Sequence, residues 1–135
     1  SLKLWRPLIV FLFVCNSASA TPFDGRYYTD DNLLRYCGPE SDYQIKLKDD
    51  YLSWDEGECK LINERKISEI DGVLYYGECE EEGYPFNQQV LIVPDTTAPW
   101  LSDRFDKGDI VLVEKNVDSG INQVTHLKRC PNPEE

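Results

Sequence analysis

Cys59-Lys60-Leu61-Ile62-Asn63-Glu64-Arg65, a loop around Ser68-Glu69-Ile70-Asp71, and then Val73-Leu74-Tyr75-Tyr76-Gly77-Glu78-Cys79 form the stretch on which the fold turns. Lys60 to Arg65 and Val73 to Glu78 read as two strands. Joined antiparallel through that loop, they set Cys59 opposite Cys79. A two-residue turn at Asp71-Gly72 would set Cys59 opposite Tyr84 instead, so Asp71-Gly72 is read as the end of the longer loop.

Outward from this pair, period-two alternation dominates residues 21–135, the pattern of half-buried antiparallel strands. Tyr43-Gln44-Ile45-Lys46-Leu47-Lys48 puts apolar side chains on one face and polar ones on the other. Leu52-Ser53-Trp54 repeats this after a break at Asp49-Asp50, which predicts a hairpin or bent ribbon. Val73-Leu74-Tyr75-Tyr76 and Gln89-Val90-Leu91-Ile92-Val93 are nearly continuous apolar runs and predict central strands covered on both faces. Ile110-Val111-Leu112-Val113-Glu114 and Val124-Thr125-His126-Leu127-Lys128 flank a turn composition at Val117-Asp118-Ser119-Gly120 and predict a further hairpin.

One short helix is expected near the start of the domain. Thr29 or Asp30 is placed to cap Asn32-Leu33-Leu34-Arg35-Tyr36, and Cys37-Gly38-Pro39 to stop it. The polar, proline-bearing stretch Asp95 to Asp109 reads as an extended loop and residues 131–135 as a frayed tail. The expected fold is therefore mainly β: a small antiparallel barrel or curled sheet of six to seven strands with one N-terminal helix, its strand order left open.

Residues 1–20 read as a signal peptide. Lys3 and Arg6 precede the apolar run Pro7 to Cys15, and Ala18-Ser19-Ala20 is the small-x-small pattern cleaved before Thr21. A spanning helix needs about 20 apolar residues, more than this run supplies, so no transmembrane segment is expected after cleavage. Lipidation at Cys15 is disfavoured because Val14 stands where a small residue is usual. Residues 21–135 then form a single β-rich domain, periplasmic or extracellular.

The full chain carries a net charge of −11. Residues 1–20 hold two cations and no acid, so −11 becomes −13 for residues 21–135. Nucleic acid is excluded as a partner, because phosphate backbones require clustered Lys and Arg. The acidity serves either solubility or attraction of a cationic protein.

Loss of Cys15 leaves Cys37, Cys59, Cys79 and Cys130. Four cysteines in an oxidising compartment predict two disulfides. Zinc is disfavoured, because the separations of 22, 20 and 51 residues lack the close ligand pair of a structural site. Three connectivities are open; the strand pair above favours Cys59 with Cys79, leaving Cys37 with Cys130.

No catalytic, metal or cofactor constellation stands out. His126 is the only histidine, set in an alternating strand, and oxidised cysteines cannot attack a substrate. With 25 acidic residues, a carboxylate pair exists somewhere by composition alone. Asp103, Asp106 and Asp109 beside Gly108 are the nearest approach to a calcium loop, with the wrong spacing for alternating ligands. Tyr84-Pro85-Phe86 and Pro99-Trp100-Leu101 place rings in expected loops, so Tyr84, Phe86 and Trp100 are the candidate binding surface, against the plainer reading that they cap the open ends of a barrel.

Gly25-Arg26-Tyr27-Tyr28, the following Cys37, Cys59 on a second strand, Cys79-Glu80-Glu81-Glu82-Gly83 and the closing Arg129-Cys130 give a layout that resembles a group of small exported, uncharacterised four-cysteine proteins of Gram-negative bacteria. The resemblance spans most of residues 21–135 and implies a periplasmic β-domain without assigning a reaction. Three functional classes follow as expectations: a non-catalytic, envelope-associated binding domain; an inhibitor of a cationic hydrolase such as lysozyme; and a carboxylate-dependent cell-wall glycosidase, which requires an open cleft holding two acids, one of them buried.

Overall fold

The computed structural model describes residues 21–29, 37–38, 44–95 and 108–131. These form eight antiparallel strands: β1 (Gly25–Tyr28), β2 (Ile45–Lys48), β3 (Tyr51–Trp54), β4 (Gly57–Ile67), β5 (Gly72–Glu81), β6 (Tyr84–Pro94), β7 (Ile110–Asn116) and β8 (Asn122–Arg129). Each pairs with the next in sequence, and β8 closes onto β1, giving an up-and-down barrel with no free sheet edge.

The count of eight corrects the expected six to seven. The additional strand is β1, only four residues long and half polar, too short to show an alternation of its own. The helix expected over Asn32 to Tyr36 lies outside the described residues, as do Trp100, residues 1–20 of the expected signal peptide and residues 132–135 of the expected tail. The only described helical turn is Ser68–Ile70. It carries the chain from β4 into β5 through Asp71, whose φ of 52° is left-handed, and so produces the longer loop read from the sequence.

Short connections alternate between the two ends of the barrel. Asp49-Asp50, Ser68 to Asp71 and the N-terminal segment lie at the lower end; Asp55-Glu56, Glu82-Gly83 and Val117 to Ile121 lie at the upper. Glu82 and Gly83 both have positive φ, 50° and 86°, as the tightest hairpin turns require. That turn starts β6 at Tyr84, so Tyr84-Pro85-Phe86, expected in a loop, belongs to a strand.

Alternation fixes which side chains fill the interior. Tyr27, Leu47, Leu52, Cys59, Leu61, Val73, Tyr75, Cys79, Val90, Ile92, Ile110, Leu112 and Leu127 make one buried cluster. The runs Val73 to Tyr76 and Gln89 to Val93 are not covered on both faces, contrary to expectation. Val73, Tyr75, Val90 and Ile92 point inward and are buried, while Leu74, Tyr76, Leu91 and Val93 lie on the outer wall, half-buried. A barrel has only one dry side, and apolar neighbours across strands, such as Leu74, Leu91 and Val113 in one row, shield one another on the wet side.

The lower end is closed by the chain itself. Tyr27 Oη donates to the Phe23 carbonyl oxygen, and Phe23 packs against the core. Asp24 ties this segment down: its Oδ1 accepts from the Thr21 amide and hydroxyl, and its Oδ2 from the Asp49 amide. Two disulfides complete the frame, Cys59 to Cys79 across the β4–β5 pair and Cys37 to Cys130 between the β1–β2 connection and the end of β8.

Candidate functional site

Among the described residues the upper end is open. A cavity of about 510 Å³ enters the barrel there, with Ile45, Leu52, Trp54, Phe86, Leu112 and Ile121 as its apolar lining. Eight strands enclose an interior that side chains can fill or that one small ligand can occupy; here side chains fill the lower half and the cavity enters the upper. The polar residues facing the same space are Glu81, Gln88, Glu114, Asn116, Gln123 and Thr125, with Thr29 and Ser119 at the rim.

Each polar group arrives by strand phase. Glu114 is two residues on from inward Leu112 on β7, Gln88 two residues before Val90 on β6, and Gln123 stands across from Glu114 on β8. Gln88 Nε2 donates to Glu114 Oε2 at 2.5 Å and lies 3.5 Å from Cys59 Sγ, so the β4–β5 disulfide braces it from below. Burial pushes the Glu114 carboxyl above the usual carboxylate range; the Gln88 hydrogen bond pulls the other way, and the charge of Glu81 adds to the rise.

Trp54 and Glu81 form the opposite wall. The Trp54 indole Nε1 donates to Glu81 Oε1 at 2.9 Å. The ring lies across Gly57, where an added Cβ would come within 2.7 Å of it and 2.5 Å of the Glu80 carbonyl oxygen, so only glycine leaves the indole its place. Above this wall the β3–β4 and β5–β6 turns sit side by side, the Glu82 amide donating to the Glu56 carbonyl oxygen. Their carboxylates crowd: the Glu56 carboxyl is raised chiefly by Glu82, then by desolvation and by Asp55 and Glu81.

Of the three rings expected to form a binding surface, Phe86 lines the cavity and packs against the core. Tyr84 is 76% exposed, outside the lining but paired with Glu81 at the same end, and Trp100 falls outside the described residues. His126 is on the outer wall with Nδ1 3.0 Å from Asp95 Oδ2, remote from the cavity. Asp109 is engaged structurally: its Oδ1 accepts from the Arg129 amide and its Oδ2 lies 3.9 Å from Lys128 Nζ. Among the described residues no group of His, Cys, Asp and Glu is arranged to hold a metal ion, and no helix is long and apolar enough to cross a membrane.

Glu81, Gln88, Glu114 and Trp54 were not singled out from sequence. Their signal was present: Glu114 and Gln88 interrupt inward-facing apolar series with polar residues, which is how a strand marks a cavity rather than a core. Compared with protein-family models, curated proteins and solved structures, the chain matches none.

Proposed function

We propose that this chain is an exported, non-catalytic binding domain, and that its site is the upper mouth of the barrel, which holds a small, largely apolar ligand. The observation that carries this reading is the 510 Å³ cavity, lined by six apolar side chains, in a barrel whose other half is packed with side chains. Concave, mainly apolar pockets with a few convergent polar groups are the usual form of a small-molecule site. Export agrees with the two disulfides and with the leader-like residues 1–20; the four-cysteine resemblance points the same way.

The test is binding of a fluorescent apolar probe to the oxidised protein. One-to-one binding is expected, and Thr125→Phe, which places a ring in the mouth, is expected to abolish it. Absence of binding, or binding unchanged by Thr125→Phe, overturns the proposal.

A second reading rests on one specific observation: Glu81 and Glu114 face the same open cleft, and burial raises one of them, which meets the condition set for a glycosidase. We prefer the binding reading because it uses the six apolar lining side chains, which a pair of catalytic carboxylates does not itself require. Hydrolysis of cell-wall glycan, lost in both Glu81→Gln and Glu114→Gln, would reverse that preference.

A further inference from the structure

Glu114 is half-buried in a cavity it shares with six apolar side chains, yet among the described residues no Lys, Arg or His lines that cavity with it. Its hydrogen bond from Gln88 comes from a neutral amide, received at Oε2. Buried carboxylates are ordinarily paired with a cation, because removing a charge from water is costly without one. The second carboxylate, Glu81, does not help: it adds negative charge on the other wall, and its Oε1 is oriented by Trp54.

We propose that the countercharge missing from this cavity is supplied by the ligand, which is a small organic cation with an apolar body, its ammonium group seated at Glu114 and its body against Trp54, Phe86 and Leu112. This deepens the binding reading above and rests on it. Three features fit. An aromatic face and a carboxylate in one pocket suit an alkylammonium group, which both attract. Burial makes the ion pair stronger than one on the surface and less sensitive to salt. The acidic turns above the mouth, Asp55-Glu56 and Glu82-Gly83, raise the local concentration of cations and repel anions.

The experiment uses three probes with one bicyclic body: 1-naphthylmethylamine, protonated at neutral pH; 1-naphthylmethanol, neutral; and 1-naphthoate, anionic. Each is titrated calorimetrically into the oxidised protein and into Glu114→Gln and Glu81→Gln, with folding of each variant checked by circular dichroism. The ammonium probe is expected to bind at least about tenfold more tightly than the alcohol, with the anion weakest. That preference is expected to persist in 0.5 M salt and to disappear in Glu114→Gln, where the amine binds no more tightly than the alcohol.

If the alcohol binds as tightly as the amine, the cation assignment falls while the cavity reading stands. If none of the three binds, the cavity reading itself falls. A preference that vanishes in salt belongs to the acidic surface, and one that survives Glu114→Gln but not Glu81→Gln belongs to Glu81; either result overturns the assignment to Glu114.

Discussion

Replacing Tyr75 with phenylalanine removes a single oxygen atom from the barrel interior, and the protein is expected to become more stable for it. Tyr75 is only 4% exposed, and its hydroxyl has no hydrogen-bond partner among the described residues. Leaving such a group unpaired costs about 1–3 kcal/mol. Against this stand the van der Waals contacts of one oxygen, at about 0.1–0.2 kcal/mol per atom pair. The balance is a gain of roughly 1 kcal/mol, or a few degrees in Tm for a domain of this size.

Tyr27→Phe is the internal control, because the Tyr27 hydroxyl does have a partner, the Phe23 carbonyl oxygen that holds the lower end closed. Its loss is expected to destabilise by about 1–2 kcal/mol, since an acceptor is left without its donor. The two substitutions are chemically identical, so a general effect of removing hydroxyls cancels. Urea unfolding of the oxidised proteins, read as a shift of midpoint at constant slope, measures both. A Tyr75→Phe protein less stable than wild type would refute the reasoning, because the hydroxyl would then be making a favourable interaction. Burial, with smaller contributions from Glu64 and Asp24, also pushes the Tyr75 hydroxyl up to about 12, so ultraviolet titration is expected to find this phenol ionising late.

Glu114 binds a proton more tightly in the fold than in the unfolded chain, so its contribution is fully present below the unfolded pKa and lost as pH rises through the raised value. Glu114→Gln is therefore expected to be more stable than wild type at neutral pH, with the gap closing on acidification; urea midpoints across pH check this. Opening the Cys37–Cys130 disulfide, which spans 93 residues, should cost more than opening Cys59–Cys79, which spans 20. In the chain-entropy model the losses are about 4–5 and about 3 kcal/mol, measurable with the two double Cys→Ala variants. Gly57→Ala is expected to displace the Trp54 indole and to weaken probe binding at the mouth, visible as altered tryptophan emission and a lower affinity.

The wall of the barrel was legible in the sequence because its signals are local. Alternation in Ile45 to Lys48, the polar breaks between strands and the placing of Cys59 opposite Cys79 each depend on a few neighbouring residues. Closure was not legible, since it depends on β1, whose four residues pair with β8 a hundred positions away. The site was less legible still. Trp54, Glu81, Gln88 and Glu114 lie on four different strands, and only the register of the closed barrel brings them to one end. Among so many acidic residues, Glu81 and Glu114 are set apart by phase, Glu114 falling on the inward side of β7 where Lys115 falls on the outward one.

The β1–β8 seam is the narrowest join in the wall, with two residue pairs in register, Tyr27 with Arg129 and Tyr28 with Lys128. Just past it the Cys130 amide donates to the Arg26 carbonyl oxygen, and Cys130 itself is bonded to Cys37. The cylinder is thus a ribbon rolled once and riveted where its two margins overlap. Amide hydrogens of β1 should exchange faster than those of β5, and reducing the rivet should widen that gap, making the hoop's integrity a readout of the redox state around it.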